Sequence, residues 1–285
     1  MKIFVTGATG FVGKHFLHAC IEGGHKVLGY ARDEGKLWAS KGLTWTVGDL
    51  FNLNPAILED IDVVVHFAAT GISPRSSDDD QLQLINVDLA DRLLRISKLA
   101  GVKRFVAAGS YAEYGLAARD YEKLPSDAPL LPITPYAKSK AKSYNSLLKG
   151  AQELDIELYY LRIFSAYGEG QYIQNLWPAL KSAALSGEDF KLTSGSQVRD
   201  FISVVDVANA FRNAATAIGF DKSTLVLNVG SGVGLSVKEF ATTWWERHGA
   251  KGNLIFNSMP QRNGDADNYI ADITAETELG LFERC

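Results

Sequence analysis

Tyr136 and Lys140 are spaced so that both side chains lie on one face of a helix, one turn from each other. A neighbouring ammonium favours the phenolate form of tyrosine and so lowers a pKa that is about 10 in the free side chain. Such a pair can transfer a proton, and Ser110 upstream can hydrogen-bond the reacting oxygen. Many solvated helices carry the same spacing, so its interpretation depends on the elements around it.

The start of the chain predicts a dinucleotide site. Residues 2–6 are short, apolar and β-branched, as in a buried parallel strand, and an amphipathic helix is expected to about residue 22. Between them, Gly7 allows a tight turn, Gly10 lets N–H groups approach a pyrophosphate, and Gly13 lets the helix pack closely on the strand. The residues expected to bind this cofactor are Gly7, Thr9, Gly10, Phe11, Val12 and Gly13.

Strand and helix patterns then alternate. We expect strands at residues 26–30, 43–47, 62–67, 103–108 and 156–162, and helices at 81–99 and 135–154. This order predicts a Rossmann-type doubly wound parallel sheet, in which ligands bind at the carboxyl ends of the strands. We expect a dinucleotide-binding domain at 1–164, to which about 200–230 returns, and a smaller α/β substrate domain at 165–285.

The residue after the second strand favours NADP(H) over NAD(H). An acid there would bind the ribose hydroxyl, but the strand ends Tyr30-Ala31-Arg32, and a guanidinium suits a phosphate. Asp49 is expected at the adenine. Further cofactor contacts are expected at Leu50, Phe67, Ala68 and Ala69. His66 lies inside a predicted strand, and a core role is favoured over catalysis.

Bulk properties exclude several classes of partner. The 285 residues carry a net charge of −4, so no broad basic surface for nucleic acid is expected. Cys20 and Cys285 form neither a metal-ligand spacing nor a disulfide framework, so we expect no metal and a reducing cytoplasm. No signal peptide and no apolar run long enough to cross a membrane are predicted.

These motifs together resemble the extended short-chain dehydrogenase/reductase family. The resemblance extends over most of residues 1–165 and rests on the glycine turn, Gly48-Asp49-Leu50, His66-Phe67-Ala68-Ala69, Asn86, Ser110 to Gly115, and Tyr136 with Lys140. It implies that Tyr136 is the acid/base, that Lys140 lowers its pKa and holds the nicotinamide ribose, and that Ser110 binds the reacting carbonyl. Asn86 is implied on the cofactor side of the site.

The second half is similar to the nucleotide-sugar branch of that family, which includes 4-epimerases and 4-ketoreductases. Three segments carry the similarity, at 161–171, 197–202 and 261–265. They imply a nucleotide-diphosphate sugar bound by Ser110, Tyr111, Ser165, Arg199, Arg262 and Asp265. Relatives often have Asn at the position of Ser165. Two arginines suit a diphosphate because each can form paired, charge-assisted bonds.

The choice of reaction depends on local features, since the fold serves several chemistries. Related 4,6-dehydratases place an Asp-Glu pair directly after the Ser/Thr, and here those positions are Tyr111 and Ala112. Arg32 favours NADPH and therefore net reduction. The short C-terminal region is similar to that of the CDP-abequose/paratose and dTDP-fucose types of 4-ketoreductase. We therefore expect NADPH-dependent reduction of a 4-keto-6-deoxy nucleotide sugar, whose product would be used in a surface polysaccharide. A 4-epimerase and a non-catalytic NADP-binding regulator are the alternatives. The resemblance also implies a homodimer through helices 81–99 and 135–154.

Overall fold

The computed structural model describes residues 1–72, 78–218, 223–260 and 266–281. In the first half, strands alternate with helices, as the sequence predicts. The elements are β1 (Lys2–Thr6), α1 (Phe11–Glu22), β2 (Lys26–Ala31), β3 (Leu43–Val47), β4 (Val63–His66), α2 (Asp79–Leu82), α3 (Leu89–Leu99), β5 (Arg104–Ser110), α4 (Pro135–Leu154) and β6 (Glu157–Ile163).

The second half adds shorter elements. They are β7 (Ser165–Tyr167), α5 (Leu176–Ser186), β8 (Phe190–Lys191), β9 (Val198–Ser203), α6 (Val204–Thr216), β10 (Thr224–Val229), β11 (Gly234–Ser236), α7 (Val237–Arg247), β12 (Leu254–Ile255), β13 (Asn268–Tyr269) and α8 (Thr274–Glu278). Among the described residues, no helix is both long and apolar enough to cross a membrane.

A seven-stranded sheet in the order β10-β6-β5-β4-β1-β2-β3 forms the centre, and all of its pairings are parallel. This confirms the predicted Rossmann-type doubly wound fold. The order of the strands switches direction between β1 and β4, which pair in parallel from Ile3 with Val63 to Thr6 with His66. The carboxyl ends of the strands at such a switch point form the crevice where ligands bind in open α/β sheets.

The sheet is buried on both faces, which explains its nearly continuous apolar strands. On one face α1 and α6 pack together, with Phe16, Leu17 and Phe211 fully buried. On the other face α3 and α4 pack, with Leu94 and Leu147 in the core. Burying both faces holds the strand ends in fixed positions around the crevice.

The predicted helix at 81–99 has an internal irregularity. Residues Gln83–Asp88 form a π-helical segment between α2 and α3. Asn86 lies within this segment, is buried, and donates a hydrogen bond to Ser139 on α4. Hydrophobic periodicity does not reveal such an insertion, because the flanking helices keep their apolar faces.

The second-half strands form a smaller sheet in which β9 pairs with β7, β11 and β13. Helices α5 and α7 pack beside it around Trp245 and Leu180. In contrast, β10 is the edge strand of the large sheet beside β6, and α6 packs with α1 on a face of that sheet.

Asp200 joins the two sheets. Its buried carboxylate on β9 accepts hydrogen bonds from Ser231 N and Oγ at 2.6 and 2.7 Å, Gly232 N at 2.9 Å and Ala271 N at 3.1 Å. The glycine-rich turn after β10 is therefore a structural turn around a carboxylate. Burial raises the pKa of Asp200, and these hydrogen bonds oppose the shift.

We expect Asp200→Asn to lower the free energy of unfolding by about 3 kcal/mol, because an amide presents donors to backbone N–H groups that need an acceptor. Urea denaturation with an unchanged slope measures this effect. Asp189→Asn is the matched control, since the exposed Asp189 carboxylate accepts from Asn253 N at 2.8 Å. A loss equal to that of the control would contradict the role of Asp200.

Candidate active site

The glycine turn after β1 forms a close backbone cradle at the crevice. Gly7 has a φ of +65°, and a Cβ on it would lie 2.6 Å from Ala68 N. A Cβ on Gly13 would collide with the Gly7 carbonyl oxygen. Gly10 begins α1 without a side-chain cap, so the first N–H groups of the helix remain available to a pyrophosphate. The residues present therefore fit a dinucleotide.

The proposed catalytic residues come together at the ends of two elements. Thr134 caps α4 by accepting from Ala137 N at 3.2 Å, and Pro135 begins the helix, which places Tyr136 in the first turn. Lys140 is buried one turn later, and its Nζ donates to Ala108 O of β5 at 2.7 Å. Ser110 ends β5, and its hydroxyl lowers the pKa of the Tyr136 phenol against the effect of burial.

The pKa of Tyr136 is raised in this structure, first by burial and then by the Glu113 charge, while the Ser110 hydroxyl opposes the shift. The Lys140 ammonium is turned toward the Ala108 carbonyl. Burial lowers the pKa of Lys140 itself, against the effect of Glu113. Burial therefore favours the neutral phenol of Tyr136 in this structure.

Asn86 connects the loop after β4 to α4. Its Oδ1 accepts from Thr70 N at 2.9 Å, and its Nδ2 donates to Thr70 O at 3.1 Å and to Ser139 Oγ at 2.9 Å. Ser139 in turn donates to Tyr136 O at 2.8 Å. Asn86 thus stabilises both the loop at the crevice and the turn of α4 that carries Tyr136.

His66 is a core residue, as the sequence analysis favoured. It is buried in β4 with its Nδ1 2.7 Å from Thr6 Oγ1. Burial, assisted by the Lys140 charge, lowers its pKa to about 3, so the ring stays neutral. A neutral, hydrogen-bonded imidazole in a strand stabilises the sheet beside the crevice.

The other predicted cofactor residues lie along the rim. Arg32 is exposed just past β2, and Asp33 beside it accepts from Gly35 N at 3.0 Å. Asp49 is exposed and accepts from Phe51 N at 3.1 Å, with Leu50 buried next to it. Thr9, Phe11 and Val12 are half-buried around the start of α1, and Phe67, Ala68 and Ala69 are half-buried after β4.

Three predicted substrate residues lie on the side of the smaller sheet. Tyr111 is half-buried, with its ring 5.6 Å from Phe164 and 4.9 Å from Tyr269 between centroids. Ser165 begins β7. Arg199 is buried on β9, where Nη1 donates to Val198 O at 2.8 Å and Asp267 O at 2.9 Å, and its guanidinium lies over Tyr269. Arg262 and Asp265 lie outside the described residues.

The sequence analysis missed the roles of Glu113 and Asp200. Glu113 forms a capping box with Ser110, accepting from Ser110 N at 2.8 Å, and pairs with Arg162 Nε at 2.7 Å. The Ser-x-x-Glu spacing is a capping signal and could have identified this contact. No local pattern identifies Asp200, because its partners come from two distant loops.

Comparisons with known proteins agree with this architecture. The profile of the NAD dependent epimerase/dehydratase family matches residues 3–230. The chain belongs to this family. A UDP-glucose 4-epimerase of Lactobacillus helveticus is 28% identical, over 98% of this chain and 91% of its own length.

Two solved structures of the family are also similar. MoeE5 in complex with UDP-glucuronic acid and NAD is 30% identical with a TM-score of 0.88, covering 100% of this chain and 94% of MoeE5. A UDP-N-acetylglucosamine 4-epimerase of Methanobrevibacter ruminantium M1, in complex with UDP-N-acetylmuramic acid, is 26% identical with a TM-score of 0.89, covering 99% and 93%.

We expect Tyr136→Phe to reduce turnover by about 10²–10⁴-fold, because the ring remains while the transferable proton is lost. Dinucleotide affinity, measured by calorimetry, should stay within about twofold of the unchanged protein, since the backbone cradle is intact. Tyr121→Phe, at an exposed tyrosine, is the control. Full activity of Tyr136→Phe would show that Tyr136 does not transfer the proton in the reaction.

Proposed function

We propose that the protein is a UDP-sugar 4-epimerase that uses a bound nicotinamide dinucleotide. The main support is the arrangement of Ser110, Tyr136 and Lys140 at the crevice of a chain whose curated relatives are 4-epimerases. This proposal replaces the expectation of a 4-keto-6-deoxy-sugar reductase as the first candidate. We also propose a homodimer through α3 and α4, as the family resemblance implies.

In the proposed reaction the dinucleotide supplies a reversible hydride acceptor and, when oxidised, a positive charge. Tyr136, with its pKa lowered by such a charge, takes the proton of the C4 hydroxyl and later returns it. Ser110 hydrogen-bonds the same oxygen and keeps it aligned. Lys140 holds the strand end at Ala108 and is placed to bind a ribose. Since hydride leaves and returns, the reaction has no net oxidation.

Dehydration is disfavoured by the side chains after Ser110. Elimination needs its own acid and base, and Tyr111 and Ala112 supply neither. Glu113 is fully buried and bound to Arg162, Tyr160 and Ser110 N, so it does not face a substrate. Reduction of a 4-keto sugar stays a second candidate, because the exposed Arg32 past β2 suits the 2′-phosphate of NADPH.

We expect the purified protein with NAD to interconvert a UDP-hexose and its C4 epimer, with no net change in nicotinamide absorbance. UDP-glucose, UDP-N-acetylglucosamine and UDP-glucuronic acid form the panel, with products resolved by chromatography. A protein that consumes NADPH stoichiometrically with a 4-keto nucleotide sugar, and epimerises none of the panel, is a reductase. Dinucleotide binding without either turnover supports the regulator instead.

For the cofactor, we propose NAD(H), as bound in the MoeE5 structure. We expect NAD to bind at least as tightly as NADP, and Arg32→Ala to weaken NADP alone, by about tenfold, through loss of a charge-assisted bond to the phosphate. Calorimetric titration measures both affinities, with the exposed Arg92→Ala as control. Tighter binding of NADP by the unchanged protein would favour the reductase.

A further inference from the structure

Glu113 is fully buried, and both of its carboxylate oxygens are bound. Oε1 accepts from Ser110 N at 2.8 Å and from Tyr160 Oη at 2.8 Å. Oε2 accepts from Arg162 Nε at 2.7 Å, and Arg162 is itself only 1% exposed. Removing two charges from water costs several kcal/mol per ion, and an apolar pair of similar volume is often as stable. Stability alone therefore does not explain this pair.

A second arginine–glutamate pair joins the same two strands at their other ends. Arg104 Nε contacts Glu157 Oε2 at 2.7 Å, at the start of β5 and β6, and the Glu157 side chain is 39% exposed. That pair lies far from the crevice, where Arg104 Nη1 also donates to the end of α6 at Ala217 O. Both pairs are arginine–glutamate ion pairs that connect β6 with β5 or the turn after it. Only the Glu113 pair contacts Ser110, whereas the Arg104 pair contacts the end of α6.

The Glu113 carboxylate connects both elements of the catalytic site. Through Ser110 N it holds the end of β5, which carries the Ser110 hydroxyl. Tyr160 Oη, which donates to Glu113, also lies 3.3 Å from Lys140 O on α4. Lys140 Nζ then returns to Ala108 O on β5. The end of β5, the turn of α4 at Lys140 and the Glu113 carboxylate are therefore connected to one another by hydrogen bonds in a closed ring.

We propose that Glu113, held by Arg162, is the positioning residue that fixes the Ser110 hydroxyl against the Tyr136–Lys140 turn of α4. This assignment rests on the proposed function for its kinetic test. It also predicts that loss of the Glu113 carboxylate slows the chemical step rather than weakening substrate binding. Misplacing Ser110 by a fraction of an ångström slows the chemical step while leaving distant contacts to a nucleotide unchanged.

The negative charge of Glu113 also affects the pKa of Tyr136. The groups that face it are the cationic Arg162 and Lys140 and the neutral phenols of Tyr160, Tyr114 and Tyr136. After burial, the Glu113 charge is the largest cause of the raised pKa of Tyr136. Removing the carboxylate therefore lowers the pKa of Tyr136, and the corresponding limb of the kcat–pH profile moves to lower pH.

The test is the double variant Glu113→Gln with Arg162→Gln, which removes both members of the ion pair together. We expect kcat to fall about 10- to 100-fold with KM for the UDP-sugar within about twofold, and the Tyr136 limb to move to lower pH. The matched control is Arg104→Gln with Glu157→Gln, which removes the equivalent pair at the other strand ends. A kcat and pH profile equal to those of the control overturn the proposal.

Two further measurements keep the outcome decisive. Tyr160→Phe removes only the hydroxyl between Glu113 and Lys140 O, so the ion pair and the fold should remain. We expect a smaller fall in kcat than in the double variant, with KM unchanged. An unchanged kcat counts against the link from Glu113 to Lys140.

Hydrogen exchange at the Ser110 amide can be measured without turnover. We expect faster exchange in the Glu113/Arg162 variant than in the control, and equal protection overturns the proposal even if no sugar is converted. Absence of turnover in the unchanged protein refutes the proposed function instead.

Discussion

The buried ion pair between Glu113 and Arg162 connects the contacts around Ser110. Both side chains are almost fully excluded from solvent, and breaking such a pair by removing one partner typically costs about 3–5 kcal/mol. The pair links the turn after β5 to β6, and Arg162 Nη1 also donates to Ser126 O at 2.9 Å. One buried charge pair therefore orders the strand end that carries Ser110 together with the loop that covers it.

Buried hydrogen bonds also connect the smaller sheet to the large one. Asn228 on β10 accepts from Tyr114 Oη at 2.6 Å and donates to Leu124 O at 2.8 Å, so the edge strand contacts the loop beyond Ser110. Asp200 connects β9 to the turn after β10. These buried polar contacts bring segments that are distant in sequence to one wall of the crevice. Each is satisfied by several partners, as buried polar groups must be.

The chemistry of the family is carried by few side chains, and small changes around them select the reaction. Burial raises the pKa of Tyr136, which favours its neutral, proton-donating form. The acid nearest in sequence to Ser110, Glu113, is bound to Arg162. We propose that Ser110, Tyr136 and Lys140 serve the reaction, and that the cofactor and the substrate decide between epimerisation and reduction.

The sequence by itself determined the sheet and its order of helices and strands, because buried parallel strands and amphipathic helices have distinct periods. It also placed Tyr136 and Lys140 on α4 and Ser110 directly after the fifth strand, which in the structure extends to Ser110. The π-helical turn at Asn86, the turn of Lys140 toward Ala108 and the partners of Glu113 and Asp200 were decided by the tertiary structure. Those contacts join residues far apart in the chain, and the pKa of Tyr136 depends on burial and charge that only the folded chain brings together.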